Sequence, residues 1–277
     1  MRRLANTPKG KIGALDLGTR TARTDYAEKL GSIKDLVVTG ADETEKLWGE
    51  VEKRLPHAFK LIEERKILDN KEFLDTIKDC VVLHFARSFA LAELFNRDHP
   101  KYRKQVSDRV LAKIPASQAV HAMTGVWVPE SSARPLAQQY IGDAFDAEVH
   151  NDGLLAKILV ENYHRGRKLA EEKDLEFWYT DKEEFVIGDI PAVVYNKDTD
   201  QVGVLNGVAW NDADALVMTL GPHHAVALSK KAAYLDANSR TVEWINVMQV
   251  RGAYKEVYYR PGSGLDDLLI DALKQKS

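Results

Sequence analysis

The first half of the chain repeats its apolar residues at helical spacing. They recur every three or four positions from residue 43 to residue 62, which predicts a helix there. Pro56 interrupts this pattern, so the helix is either kinked or split in two. The longest helical pattern covers residues 70–96, and the His99-Pro100 pair that follows it is a plausible stop. Further helices are predicted over residues 101–113, 135–148 and 152–173, with a less regular stretch from 115 to 135.

From residue 176 onward the apolar period changes to two, which is typical of strands. Turn-forming residues such as those at 196–200 separate the short runs. The predicted strands cover residues 176–180, 184–187, 192–195, 202–208, 215–220 and 225–228. A last helix is predicted over 240–254, and a short one begins at Asp266. Because a parallel α/β sheet would alternate helices and strands, this order predicts an α+β fold. Its helical N-terminal half packs on a mostly antiparallel C-terminal sheet with a late helix.

The same order divides the chain into three parts. Residues 1–42 are rich in Gly, Thr, Lys and Arg and predict an extended arm or a small strand pair. Residues 43–175 form the helical part, and residues 176–277 form the strand-rich part with its C-terminal helix. We expect these last two parts to make one compact unit, because polar residues on the longest predicted helix need partners at the strand ends.

Composition and charge narrow the class of protein. With 277 residues, 44% of them apolar, the chain can bury a large core, and disorder is not expected. The formal charge of −3 gives no support for nucleic acid as a partner, although a local basic patch would remain compatible with it. The single cysteine, Cys80, excludes an intramolecular disulfide and a Cys-rich zinc site within one chain. We expect no cofactor.

Membrane and export signals are missing from the pattern. A membrane span needs about 20 largely apolar residues in a row, and no such run is present. The stretch from Asn6 to Gly10, Asn-Thr-Pro-Lys-Gly, stands where a secretory signal would have an apolar run. We therefore expect no membrane partner and a cytoplasmic protein.

His84 and Arg87 lie three residues apart on the longest predicted helix, with His84 in the middle of the apolar face. A buried guanidinium without a partner is costly, so Arg87 should meet a carboxylate or a bound anion. One interpretation is a structural ion pair with Glu63 or Glu64. A second is a site for a phosphate- or carboxylate-bearing ligand, with His84 as its acid or base. A third is simple exposure of Arg87 at the edge of the apolar face.

A turn between two predicted strands carries Asp189, in the sequence Gly-Asp-Ile-Pro that begins at Gly188. A carboxylate in such a turn commonly accepts backbone N–H groups. A strand end is also a frequent place for a general base. Both interpretations of Asp189 stay open at this point.

Two histidines, His223 and His224, follow the end of another predicted strand. Adjacent side chains on a strand point to opposite faces, so the two imidazoles are not expected to chelate one metal ion. No HxxxH or HExxH spacing occurs in the chain, and we predict no metal site. One of the two histidines could face a cleft.

Two amides, Asn246 and Gln249, lie one turn apart on the predicted last helix. Asn is a poor helix former in a helix interior, so its presence predicts a hydrogen bond to backbone or to a loop.

The order of these residues resembles an uncharacterised bacterial family, domain of unknown function 4238, over about residues 43–260. That family has an Arg on an apolar helix, a strand ending in Ser-Asp-x-Pro, a Pro-rich strand end and an Asn-bearing late helix. The matching positions here are Arg87, Gly188-Asp189-Ile190-Pro191, Leu220-Gly221-Pro222 and Asn246. The resemblance implies no established reaction. It implies one shared site, with the candidates Arg87, Asp189, Pro191, Pro222 and Asn246.

Two departures from the family pattern affect what the resemblance implies. Gly188 stands where the family has Ser, and the family's N-terminal His-x-x-Pro segment is absent. If that His acts in relatives, this chain is expected to be altered or inactive.

Two functional hypotheses follow. The first is a hydrolase or nuclease-like effector that binds an anionic substrate. Its catalytic residues are Asp189, His84 and His223, and its substrate contacts are Arg87, Asn246 and His224. The second is a non-catalytic binding or interaction protein, in which Arg87 forms a structural pair with a carboxylate.

Overall fold

Eight α-helices and ten β-strands form in residues 10–26, 29–30, 42–151 and 154–274, which the computed structural model describes. The helices are α1 (Asp42–Glu63), α2 (Lys71–Ala86), α3 (Phe89–Leu111), α4 (Ala116–Thr124), α5 (Glu130–Asn151), α6 (Leu154–Glu171), α7 (Ser239–Gly252) and α8 (Asp266–Lys274). The strands are β1 (Lys11–Asp16), β2 (Thr21–Tyr26), β3 (Asp174–Tyr179), β4 (Ile187–Gly188), β5 (Ala192–Asn196), β6 (Gln201–Val202), β7 (Ala215–Gly221), β8 (His224–Ser229), β9 (Ala233–Asp236) and β10 (Glu256–Tyr259).

The strands form two sheets. One has the order β2-β1-β10-β4 and is antiparallel throughout, and the other has the order β6-β5-β7-β8-β3-β9. In the second sheet β3 and β9 are parallel, and the other pairings are antiparallel. Helices contain 55% of the residues and strands 20%. Six of the eight described helices precede β3, and this order confirms the predicted α+β class.

Helices cover both faces of the six-stranded sheet. Helices α1, α2 and α6 pack on one face, where Val81 and Val82 of α2 join a core with Phe177, Met218 and Val226. Helix α7 packs on the other face, and its apolar residues are Val242, Ile245 and Met248. Because both faces are buried, β7 and β8 are apolar nearly throughout instead of alternating.

Two smaller cores lie beside this layer. The four-stranded sheet packs on α7 and α8, with Leu15, Val257 and Leu269 fully or almost fully buried. Helices α3, α4 and α5 share an alanine-rich core that includes Ala119 and Ala133. Small side chains allow these helices to approach closely, but they bury little apolar area per residue.

The longest predicted helix is in fact two helices. Helix α2 ends at Ala86, Arg87 is its C-cap, and Ser88 has an extended backbone with ψ 144° before α3 begins. Ser favours this extended N-cap conformation, which ends one helix and starts the next. Helix α3 then continues through the predicted stop, with the exposed Pro100 inside it.

Several other boundaries also differ. The stretch predicted to be irregular contains all of α4 and the start of α5, and α1 passes through Pro56 as one helix. The strand predicted over 202–208 ends at Val202, because Gly203 has a positive φ of 86° and a 3-10 turn follows. Strands β9 and β10 were not predicted. Of residues 1–42, β1 and β2 form a hairpin, and residues 1–9, 27–28 and 31–41, with their apolar run at 36–38, lie outside the described residues.

Candidate functional site

The segment from residue 184 to residue 191 is attached to α7 by two buried amides. Asn246 Oδ1 accepts a hydrogen bond from the Val186 N–H at 2.9 Å, and Asn246 Nδ2 donates to the Glu184 carbonyl at 2.9 Å. One turn later, Gln249 Oε1 accepts from the Gly188 N–H at 2.9 Å, and its Nε2 donates to the Pro191 carbonyl at 3.1 Å. The predicted bond from the late helix to backbone is thus present twice.

Two further contacts fix the first half of this segment. Thr219 Oγ1 donates to the Val186 carbonyl at 2.8 Å from the middle of β7. Both oxygens of the buried Glu184 carboxylate are paired with the Arg260 guanidinium. Arg260 Nε donates to Glu184 Oε2 at 2.9 Å. Side chains therefore add to a short backbone pairing: Ile187 and Gly188 pair with β10, the Asp189 N–H donates to the Glu256 carbonyl at 2.9 Å, and the Phe185 N–H donates to the Pro222 carbonyl at 2.8 Å.

Asp189 connects the second half of the segment to the start of β10. Its Oδ1 accepts from the Tyr254 N–H at 2.7 Å, and its Oδ2 accepts from the N–H groups of Lys255 at 2.7 Å and Glu256 at 3.2 Å. Of the two interpretations, the geometry favours the acceptor of backbone N–H groups. The donors are distant in sequence and do not belong to the turn in which Asp189 lies.

Arg87 contacts α1. Its Nη1 lies 3.2 Å from Glu52 Oε1, and its guanidinium lies over the Trp48 ring, 5.3 Å from the ring centroid. The carboxylate partner is therefore Glu52, in place of the predicted Glu63 or Glu64. The Glu52 side chain is 54% exposed, so the pair contributes about 1 kcal/mol or less to stability.

His84 is neutral near neutral pH. Burial, with a smaller contribution from the Arg87 charge, lowers the pKa of its imidazole from 6.5 to about 3. On the same helix, burial raises the pKa of the Cys80 thiol to about 12. Neither group therefore has the pKa of an acid, base or nucleophile that works at pH 7.

His223 lies in the turn between β7 and β8, and His224 is the first residue of β8. His224 meets the Tyr179 ring edge-on at 5.2 Å, and Tyr179 donates its hydroxyl to the Ile62 carbonyl at the C-terminal end of α1. The His223 carbonyl accepts from the Thr180 N–H at 3.1 Å. His223 Nδ1 is buried, and no hydrogen-bond partner for it is present among the described residues.

The predicted site residues fall into separate groups. Asn246 hydrogen-bonds to segment 184–191, and Asp189 lies in that segment and connects it to the start of β10. Arg87 reaches α1 at Glu52, whereas Tyr179, which His224 contacts, reaches α1 at Ile62. The two positions are ten residues apart, about 15 Å along the helix axis.

A narrow crevice separates the α2–α3 junction from the six-stranded sheet. It is lined by Phe85, Ser88, Ala90, Ile190, Ala192, Val193, Val194, Gly203, Val204 and Gly252, and none of the six predicted site residues is in this set. The buried Ser88 hydroxyl has no partner among the described residues. The other side chains that line the crevice are apolar, which is typical of a packing defect and not of a catalytic site.

The described residues contain no group of three or more His, Cys, Asp or Glu side chains that could bind a metal ion. Nor does any described helix combine the length and apolar character that crossing a bilayer requires.

Fold and site together define a class: an α+β protein in which helices cover both faces of a mixed sheet, and buried side-chain amides attach an irregular segment to the late helix. The chain belongs to the family described as Protein of unknown function (DUF4238), whose model matches residues 32–263. This confirms the resemblance. Comparison with curated proteins returned no match, and neither did comparison with solved structures.

Proposed function

We propose that this chain is a non-catalytic binding protein, whose polar family positions maintain the fold. The observation that carries this proposal is the Asp189 carboxylate, whose two oxygens accept three backbone N–H groups at 2.7–3.2 Å. Protonation of a carboxylate used in this way would weaken structural hydrogen bonds, which makes Asp189 poorly suited to act as a general base.

The other predicted catalytic positions add to this support. His84 is neutral in the pH range where an acid or base is needed, and the charge of Arg87 is balanced by Glu52. A phosphate- or carboxylate-bearing ligand at Arg87 would therefore compete with an internal partner. A cytoplasmic setting, which a single buried cysteine suits, is part of the same proposal.

The hydrolase or nuclease-like alternative has one observation in its favour. His223 Nδ1 is buried and has no partner among the described residues, and a bound ligand could provide one. His223 would then act without Asp189, whose oxygens are used elsewhere.

Replacing Asp189 by Ala tests the proposal. Three N–H groups lose a charged acceptor, and hydrogen bonds to charged groups are worth about 1.5–3 kcal/mol each, so the free energy of unfolding should fall by about 3 kcal/mol or more. The measurement is urea unfolding followed by circular dichroism. Asp198→Ala is the matched control, because Asp198 is exposed in the turn after β5, and it should change stability by about 0.5 kcal/mol or less.

A different result would remove the basis of the proposal. If Asp189→Ala were as stable as Asp198→Ala, the carboxylate would not be needed for the fold, and the catalytic interpretation of Asp189 would be favoured.

A further inference from the structure

The connection between α4 and α5 exposes an unusual set of apolar side chains. We refer to residues 125–129 as the strap. Trp127 is 67% exposed and Val126 is 60% exposed, and Met123, at the end of α4, is 47% exposed. Scattered single apolar residues are common on protein surfaces, but three within five positions, one of them Trp, mark a surface that binds something.

The strap is fixed in place. Gly125, with φ 74°, ends α4, and the Val126 N–H donates to Thr124 Oγ1 at 3.2 Å. The Trp127 ring stacks on His121 with 4.2 Å between ring centroids. Because the Trp127 ring is already held in one position, little conformational entropy is lost when it inserts into a partner.

Glu130 fixes the far end of the strap. Its two carboxylate oxygens accept from the N–H groups of Ala116 at 3.0 Å and Ser117 at 2.9 Å, which joins the start of α5 to the start of α4. The carboxylate keeps its negative charge in these bonds, so it offsets one of the neighbouring basic side chains.

The surroundings of the strap are basic. From residue 104 to residue 142 there are four exposed basic side chains, Lys104, Arg109, Lys113 and Arg134, and two acidic ones, Glu130 and Asp108, of which Asp108 pairs with Lys104 at 2.6 Å. This end of the α3–α5 helices is positive on a chain whose formal charge is −3. Charge complementarity therefore calls for an anionic partner.

We propose that the strap inserts Trp127 into the surface of an anionic lipid bilayer, with the neighbouring basic side chains at the headgroups. Trp is favoured at the boundary between headgroups and hydrocarbon, and basic side chains add attraction to anionic lipid. This inference rests on the proposed non-catalytic binding function and names its partner class. Surface binding of this kind needs no spanning helix.

The observations favour a bilayer over a protein partner or a second copy. Three exposed apolar side chains are few for a stable protein interface, which buries about 800 Å² on each partner. A two-fold pairing of straps would also bring two basic surfaces together. A bilayer needs only shallow insertion and presents the opposite charge.

Vesicle co-sedimentation of the full chain tests this proposal. The protein should sediment with vesicles of an equal mixture of phosphatidylcholine and phosphatidylglycerol, and not with phosphatidylcholine alone. Trp127→Ala should weaken vesicle binding about tenfold, and Val126→Gln should weaken it less. Raising the salt concentration should weaken the binding of the wild-type protein. Both variants should keep the wild-type melting temperature, because the side chains are exposed.

A charge-matched pair of variants separates specific from general attraction. Arg109→Gln with Lys113→Gln should weaken vesicle binding several-fold. Lys230→Gln with Lys231→Gln removes the same charge from an exposed turn elsewhere and should leave binding nearly unchanged.

Two outcomes would overturn the proposal. One is that wild type and Trp127→Ala sediment with the anionic vesicles to the same extent, or that neither sediments with them. The other is light scattering in which wild type is a dimer and Trp127→Ala a monomer, with no vesicle binding, which would make the strap an interface between copies. Neither outcome changes the stability expected for Asp189→Ala, so failure here is distinct from failure of the proposed function.

Discussion

At the scale of single residues, Asn246 and Gln249 replace a missing strand partner. Each side-chain amide offers one acceptor and one donor, and each satisfies one N–H and one C=O of segment 184–191. Both residues are 0% exposed. A buried amide is tolerated at this depth because both of its ends are paired. The pattern of residues predicted the amide-to-backbone bond, but it could not indicate which backbone, some 60 residues earlier, would be the partner.

Changing Asn246 to Asp isolates this role. The acceptor for the Val186 N–H remains, but the donor to the Glu184 carbonyl is replaced by a buried carboxylate oxygen that faces it. We expect a loss of about 3 kcal/mol or more in the free energy of unfolding. The matched control is Asn238→Asp on the same helix, where Asn238 Oδ1 caps the Thr241 N–H at 3.0 Å. Asp is an equally good N-cap, so this control should be neutral or slightly stabilising. Equal losses in the two variants, measured by urea unfolding, would contradict the assigned role.

His84 should make the free energy of unfolding depend on pH in the acid range. Its pKa is lowered in the folded state, so between pH 6.5 and about 3 the unfolded chain binds more protons there, and stability decreases as the pH falls through this window. The contribution is at most about 1.4 kcal/mol per pH unit. His84→Gln should lose less stability than wild type over that range, as followed by melts at a series of pH values. His164→Gln, on an exposed position of α6, should follow wild type. Parallel curves for wild type and His84→Gln would show that the imidazole is hydrated.

At the scale of elements, periodicity predicted helices well where one face packs on the sheet, as in α1, α6 and α7. It failed at Arg87, because α2 and α3 continue the same apolar spacing and the break depends on the backbone of Ser88 alone. It also failed at β10, four residues whose partners are β1 and β4. A strand this short is defined by pairing across most of the chain, and no local pattern contains that information.

The packing of α7 on β5 can be tested at Gly252. A Cβ added there would lie 2.5 Å from Val193 Cγ1, so the end of the helix could not approach the strand as closely. Gly252→Ala should lower the free energy of unfolding by about 1–3 kcal/mol, measured by thermal or urea unfolding. The control is Gly49→Ala in α1, where the added Cβ meets nothing within 4 Å, and it should stabilise by about 0.5–1 kcal/mol. A second substitution, Val193→Ala, should recover part of the loss at Gly252, and no recovery would argue against this contact as the cause.

At the scale of the whole molecule, helical and strand-rich parts contribute to one core. Val81 and Val82 of α2 share a cluster with Phe177 of β3 and Val226 of β8. We propose on this basis that residues 43–175 and 176–277 fold as one unit. The sequence indicated that polar residues would connect the two parts at the strand ends. In the structure, polar bonds connect the two parts at the ends of β3 and β9, where Tyr179 donates to the Ile62 carbonyl and Arg65 pairs with Asp236. Apolar packing adds the shared core.

The central claim is that side chains attach segment 184–191 as firmly as a sheet would, within one cooperative unit. Native-state hydrogen exchange at low denaturant tests it most directly, through the amides of Val186 and Gly188 and the core amide of Val81. The account predicts that all three exchange only by global unfolding, with one common free energy and one denaturant dependence. Exchange of Val186 and Gly188 through a separate local opening, several kcal/mol easier than that of Val81, would contradict it.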